Sequence, residues 1–223
     1  MVILKREIKT TSDGSHTLYV PQLGEHYHSI HGAIQESRHV FIESGIKSLF
    51  QSPIKVLEVG FGTGLNALLT ALWSNKANIE VHYTGIECFP IDMKLNESLN
   101  YPQVLEEKES IEYFTKIISS LWHNESKIHS CFTLHKIESR IQEYHPNHKV
   151  DIIYFDAFGP NIQGEIWEIN VLKNMYNSLN DNGVFVTYSA KGQLKRDLKG
   201  LGFKVESIPG PPGKREMTRA VKF

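Results

Sequence analysis

The stretch Lys55-Val56-Leu57-Glu58-Val59-Gly60-Phe61-Gly62-Thr63-Gly64-Leu65-Asn66 limits what this chain can become more than any other. Its first half is an apolar run of the kind that forms a buried strand. Glycines then fall at alternate positions, and Leu65, Ala67, Leu68, Leu69, Ala71 and Leu72 continue at helical spacing. Strand, glycine turn and helix in that order describe the nucleotide end of an α/β sheet. There, backbone comes close to ligand and the helix start offers unpaired N–H groups. The spacing G-x-G-x-G departs from the G-x-G-x-x-G of dinucleotide folds, and no G-x-x-x-x-G-K-[ST] phosphate loop is present. Glu58, two positions before the first glycine, would repel a pyrophosphate and suits a cation. S-adenosylmethionine, with its amino group and sulfonium, is therefore the expected cofactor.

A chain of 223 residues fits one enlarged α/β domain or a domain with a small appendage. We expect an N-terminal hairpin and lid extension over 1–52 and the nucleotide-binding domain over 53–223. No apolar run approaches the ~18 residues needed to span a membrane, and no signal-peptide h-region opens the sequence. Cys88 and Cys131 form no redox or metal motif, which suggests a reduced compartment and a cytoplasmic location. The net charge of −1 hides an uneven distribution. From Lys191 to the end there are nine Lys/Arg against three Asp/Glu, so a polyanion such as nucleic acid becomes a candidate partner.

In the extension, 7–11 and 16–20 flank Ser12-Asp13-Gly14-Ser15 and read as a hairpin with a D-G turn. Gln35 to Ile42 has a helical rhythm. His26, His28, His31 and His39 lie nearby, but without cysteines or H-E-x-x-H spacing they indicate no metal. The segment reads instead as a lid in which Tyr27 and His28 touch ligand. The second strand, Glu80 to Glu87, ends in an acid placed to accept hydrogen bonds from ribose hydroxyls. A polar helical region is expected from Cys88 to about Trp122, and a third strand over Ser130 to Leu134. Val150 to Phe155 is the fourth strand and leads into Asp156-Ala157-Phe158-Gly159-Pro160. Ligands in open α/β sheets sit beyond the carboxyl ends of the strands, so Asp156 is the best-placed group for chemistry. A helix is expected from near Gly164, stopped by Asn180-Asp181-Asn182-Gly183. A fifth strand (184–188), a short helix (192–201) and two closing strands (203–208 and 218–223) follow. Between the closing strands lies a Pro/Gly-rich tip with Lys214 and Arg215.

With these residues in hand, the chain resembles the tRNA 5-methylaminomethyl-2-thiouridine methyltransferases. In many bacteria these form the N-terminal half of the bifunctional MnmC enzymes; this chain resembles the stand-alone MnmD type. The likeness rests on Tyr27-His28-Ser29, on Glu36-Ser37-Arg38-His39-Val40-Phe41 and on the 58–66 loop. It continues in Glu87-Cys88-Phe89-Pro90, in Asp156-Ala157-Phe158-Gly159-Pro160 with Trp167 after it, and in Gly213-Lys214-Arg215-Glu216-Met217. The resemblance implies a Rossmann-like class I S-adenosylmethionine-dependent methyltransferase sheet carrying a small N-terminal β-hairpin and helical extension. It implies cofactor contacts from Tyr27, Glu58, Gly60, Gly62, Thr63, Gly64, Asn66, Glu87 and Asp156, with Asp156 also the catalytic residue. Near the adenine, where the family carries an acid, this chain reads Leu134-His135-Lys136-Ile137-Glu138, leaving Glu138 or a backbone amide for that contact.

The expected reaction is N-methylation of 5-aminomethyl-(2-thio)uridine at the tRNA wobble position. No flavin-binding oxidase half is expected, so the protein would depend on another enzyme that installs the 5-aminomethyl group. Tyr27, His28, Phe158 and Trp167 are expected around the substrate base, with Lys191, Lys214 and Arg215 on tRNA phosphates. Two other functions fit parts of this pattern. A polyamine aminopropyltransferase or other small-amine enzyme shares the fold and an acidic centre, and a non-catalytic RNA-binding relative would keep the basic segment alone.

Overall fold

The computed structural model describes residues 4–223. The D-G turn closes as the sequence predicts: β1 (Glu7–Thr10) and β2 (His16–Val20) pair antiparallel around it. Asp13 Oδ1 accepts the Ser15 N–H at 3.0 Å, holding the turn from its own side chain. A two-residue strand, β3 (Glu25–His26), completes a three-stranded sheet. Helix α1 (Ala33–Ser37) continues into a wider π-helical stretch, Arg38–Glu43, that buries Val40, Phe41 and Ile42.

The remaining elements build one eight-stranded sheet. In chain order they are β4 (Ile54–Val59), α2 (Leu65–Ala77), β5 (Val81–Glu87), α3 (Met93–Glu97), α4 (Tyr101–Leu105), α5 (Ser110–Ser119), β6 (Glu125–His129), β7 (Phe132–Glu138), β8 (Val150–Phe155), α6 (Ile169–Ser178), β9 (Leu179–Thr187), α7 (Gly192–Gly200), β10 (Phe203–Pro209) and β11 (Glu216–Lys222). Their order across the sheet is β10-β11-β9-β8-β4-β5-β7-β6. The five central strands, β9 to β7, run parallel, and antiparallel strands flank them at both edges. The sheet is therefore Rossmann-like, and its direction of winding reverses beside β4.

Strand alternation divides the core. Ile54 and Val56 of β4 join α2, α5 and the extension on one face, whereas Leu57 and Val59 join α6 and α7 on the other. Leu18, Ala33, Val40 and Phe41 of the N-terminal segment belong to the first cluster, so that segment shares the core of the sheet. Burying such side chains stabilises the fold by roughly 1.5–3 kcal/mol for each large one. That energy anchors the segment carrying Tyr27 and His28.

Four expectations need correction. The third strand does not span 130–134: Ser130 and Cys131 form a turn, β7 runs on to Glu138, and β6 pairs antiparallel at its edge. Only Ile128 of β6 is fully buried, so that strand carries almost no apolar signature. The single polar helical region is three short helices, the second beginning at Tyr101-Pro102, where proline suits a helix start. The helix expected from Gly164 begins as a 3₁₀ turn, Gly164–Trp167, and α6 starts only at Ile169. Asn180 to Gly183 does not lie outside the strand but inside β9, as a bulge where the register against β8 shifts and Asn182 takes φ 64°.

Candidate active site

The site forms where β4 and β8 end side by side. The Asp156 N–H donates to Val59 O at 2.9 Å, drawing the two strand ends together. Gly60 has φ +89°, and a Cβ there would fall 2.6 Å from Asp156 O, so only glycine lets the two loops meet. The backbone then turns through Gly62 (φ +49°), whose open side faces the ring of Tyr27, 3.2 Å from a built Cβ. Gly64 in the left-handed region ends the turn, and α2 begins. Above these strand ends opens a cavity of about 380 Å³.

Its acidic groups are held in different ways. Glu87, at the end of β5, accepts the Gly62 N–H at 3.0 Å on one oxygen and the Phe89 N–H at 2.8 Å on the other. Each oxygen keeps a lone pair for a ligand hydroxyl. The Asn66 amide donates to Asp156 Oδ2 and to Glu58 Oε1, both at 2.8 Å. Burial first, and then the charge of Glu36, pushes Asp156 well above the usual carboxylate range; the Asn66 bond and Lys214 oppose this. Burial and the neighbouring Asp156 likewise push up Glu58, whose Oε2 has no hydrogen-bond partner.

The extension roofs this floor. The Tyr27 ring lies over Gly62 and meets Phe158 edge-on at 5.1 Å. Arg6 donates to the Tyr27 hydroxyl at 2.9 Å and to Phe89 O at 2.8 Å, tying the residue just before β1 to the loop after β5. His28 lines the cavity from a buried position, and its desolvated ring is pushed down to about 4, which keeps it neutral. Lys214, on the tip between β10 and β11, reaches back to Glu36 at 2.8 Å and lies 4.0 Å from the centre of the Tyr188 ring.

Of the residues singled out from the sequence, Tyr27, His28, Gly60, Gly62, Glu87, Asp156, Phe158 and Lys214 line the cavity. Others stand behind it. Glu58 and Asn66 lie under the floor, and buried Thr63 accepts the Tyr101 hydroxyl at 3.2 Å. Trp167 does not wall the cavity: it packs against Phe155 at 4.8 Å and donates its indole N–H to Phe158 O at 2.8 Å, bracing the loop that carries Phe158. Glu138 pairs in register with Glu87 but is exposed, and Ser139 and Ile141 line the cavity in its stead.

Lys191 and Arg215 are exposed outside the cavity; Lys191 donates to Asn161 Oδ1 at 2.5 Å. Part of the basic surplus is neutralised internally, by Lys195–Glu216 and Arg219–Glu206, while Lys222 caps the carbonyls of Tyr176 and Leu179. Several cavity residues escaped the sequence reading, two of them chemically notable. Glu36 lies inside a stretch that carried the family resemblance, and Tyr188, the last residue of the expected fifth strand, immediately follows β9, where the strand-end rule could have found it. Among the described residues no group of three or more His, Cys, Asp or Glu is placed to hold a metal.

These donors fit a positively charged nucleoside. Glu87 faces the cavity with free lone pairs, and Ile86 and Ile141 offer apolar surface beside it for a base. Asp156 presents a carboxyl group whose hydrogen-bond donor is a neutral amide; burial favours its protonated form, and an entering cation would favour the charged one.

The comparisons with known proteins agree with this geometry. The bifunctional tRNA 5-methylaminomethyl-2-thiouridine biosynthesis protein MnmC of Leptospira borgpetersenii is 30% identical over 207 residues, covering 86% of this chain and 31% of that protein. The protein of the same name from Burkholderia multivorans is 29% identical over 227 residues, covering 90% and 33%. The chain thus spans about a third of the length of the curated relatives it matches. The crystal structure of MNMC2 from Aquifex aeolicus superposes with a TM-score of 0.76 at 28% identity, over 98% of this chain and 70% of that one. The spermidine synthase of Thermotoga maritima, at 13% identity and a TM-score of 0.52, shares the fold. A family model described as S-adenosyl-L-methionine-dependent methyltransferase matches residues 106–223, more than half of the sequence, and the chain belongs to that family.

Proposed function

We propose that this protein methylates the amino group of 5-aminomethyl-(2-thio)uridine at the wobble position of tRNA, yielding 5-methylaminomethyl-(2-thio)uridine. The observation that carries the reading is Asp156: a carboxyl group at a strand end, inside the cavity, oriented by an uncharged amide and making no ion pair of its own. The names of the relatives supply the acceptor.

When bound, S-adenosyl-L-methionine supplies the methyl group as a sulfonium. Glu87 would hold the ribose hydroxyls, and the Gly60 to Gly62 backbone would admit the cofactor close to the sheet. Tyr27 and Phe158 form one wall of the cavity. Asn66 fixes the Asp156 carboxylate, which would accept the proton that the acceptor amine must lose to become a nucleophile. An alkylamine near pKa 10.4 is mostly protonated at neutral pH, and the desolvated cavity lowers that value. Alignment of donor and acceptor then does most of the rest. Exposed Lys191 and Arg215 would contact phosphates that position the anticodon loop, while the splayed base is read inside. The N-terminal extension, over its described residues 4–52, serves as the roof, the reaction takes place in the cytoplasm, and another enzyme supplies the 5-aminomethyl group.

One observation favours a second reading, aminopropyl transfer to a polyamine: Glu25, Glu36, Glu87 and Asp156 all line the cavity, a surplus of acid suited to a polycation. The two readings separate in one assay. Labelled S-adenosylmethionine is incubated with tRNA from a strain blocked at the 5-aminomethyl stage, and the nucleosides are analysed by mass spectrometry. Label in 5-methylaminomethyl-(2-thio)uridine is the expected result. No label on tRNA, with turnover of putrescine and decarboxylated cofactor, would establish the alternative.

A further inference from the structure

Glu36 and Lys214 have no role in the chemistry described so far, yet both face the cavity that holds Asp156. The Glu36 side chain is only 10% exposed; its Oε2 accepts the Ser29 N–H at 2.7 Å and its Oε1 accepts Lys214 Nζ at 2.8 Å. The same ammonium lies over the face of Tyr188, 4.0 Å from the ring centre. Tyr188 is itself fixed, donating its hydroxyl to Ala157 O at 2.8 Å, next to Asp156. A carboxylate and an aromatic face converging on one ammonium form a built site for a primary amine. Its occupant arrives from outside, on the end of a long flexible side chain that is 36% exposed.

We propose that Glu36 and Tyr188 form the binding site for the primary ammonium of the acceptor, and that Lys214 occupies it as an internal stand-in until the acceptor arrives. This deepens the function proposed above and rests on it. The exchange conserves charge, since one ammonium leaves Glu36 as another enters. Lys214, once released, stands beside Arg215 on the tip and is free to meet a phosphate. The tip is seated for such a movement: His39 Nε2 lies 2.8 Å from Pro209 O, and the His31 ring packs against Gly213. Both contacts are to backbone at the base and crown of the tip, and neither holds the Lys214 side chain. An amine tethered to a polyanion can therefore bring a partner for both sides of the pair, whereas a free amine brings only one.

The test uses 5-aminomethyluridine and uridine as probes, with binding followed by calorimetry on the protein loaded with S-adenosylhomocysteine. Lys214→Met removes the stand-in, and 5-aminomethyluridine is expected to bind at least tenfold more tightly while uridine is unchanged. Glu36→Gln retains an acceptor for Ser29 and should weaken 5-aminomethyluridine at least tenfold, again sparing uridine. With tRNA, Lys214→Met should raise KM with little change in kcat. Unchanged or weaker nucleoside binding in Lys214→Met would overturn the stand-in role, and Glu36→Gln indistinguishable from wild type would overturn the site. If wild type fails to methylate tRNA yet putrescine binding shows the same two effects, the ammonium site stands and the tRNA reading falls.

Discussion

Two carboxylates face the same cavity and are kept there by opposite means. Asp156 receives a neutral amide from Asn66, which orients it but brings no positive charge to offset its burial. Glu36 receives an ammonium from Lys214 and a backbone N–H from Ser29, so its charge is cancelled while the pair is closed. The amide bond keeps Asp156 in readiness for whatever positive charge enters. The ion pair makes Glu36 conditional, because its partner lies on a different element and can leave. Taking two charges out of water is costly, so an ion pair at a cavity mouth is weak evidence of a purely structural purpose.

The sharpest break of this contrast is Asp156→Asn. It preserves shape and the chance of a bond to Asn66 but removes the group that can take up a proton, and methyl transfer should fall by about 10² to 10⁴-fold with cofactor binding retained. Single-turnover kinetics beside calorimetry reads both. Full activity in that variant would deny Asp156 its part.

Acidity tests the same neutral interior from the side of His28. Its folded value of about 4 lies below the ordinary 6.5, so the unfolded chain binds more protons between those limits. Stability is then present above pH 6.5 and lost as pH falls through 4, by on the order of 3 kcal/mol. Glu58 and Asp156 act with the opposite sign. Both are raised, so the folded state keeps protons the unfolded state has released, and their contribution falls as pH rises above about 4. Denaturant titrations across pH should show His28→Gln relieving the acid limb and Glu58→Gln flattening the decline on the other side.

Asn66→Leu should cost about 1–3 kcal/mol, because it strands two buried carboxylates at once. A denaturation midpoint equal to wild type would show that the bridge does not hold the floor together. The smallest effect belongs outside the cavity. Arg215→Ala should weaken tRNA binding a few-fold and lower the slope of log affinity against log salt by about 0.7, one single-stranded phosphate contact, with kcat unchanged.

Much of this was legible in the sequence, and the pattern of what was missed has a physical cause. The glycine loop, Glu87 and Asp156 all sit at strand ends, so local patterning plus the rule for open α/β sheets locates them without tertiary knowledge. Glu36, Tyr188 and Lys214 come from three distant parts of the chain and meet only because the tip folds back on the extension. No local signal encodes that meeting. Trp167 misled for a related reason: a tryptophan after a catalytic loop looks like a wall, but its indole N–H found Phe158 O and turned it into a brace. Strand β6 was invisible because an edge strand with one buried apolar residue does not alternate.

The Glu36–Lys214 pair spans 178 residues. Loops of that length close late, since their entropy must be met before the contact repays it. Glu58, Asn66 and Asp156 are joined by bonds between β4, the start of α2 and the end of β8, whereas Glu36 takes its partner from the tip between β10 and β11. The carboxylate comes from the extension and its ammonium from one of the last turns of the chain, so the pair cannot exist before β10 and β11 are in place. Whatever governs access to Glu36 is therefore contributed by the final hairpin of the sheet.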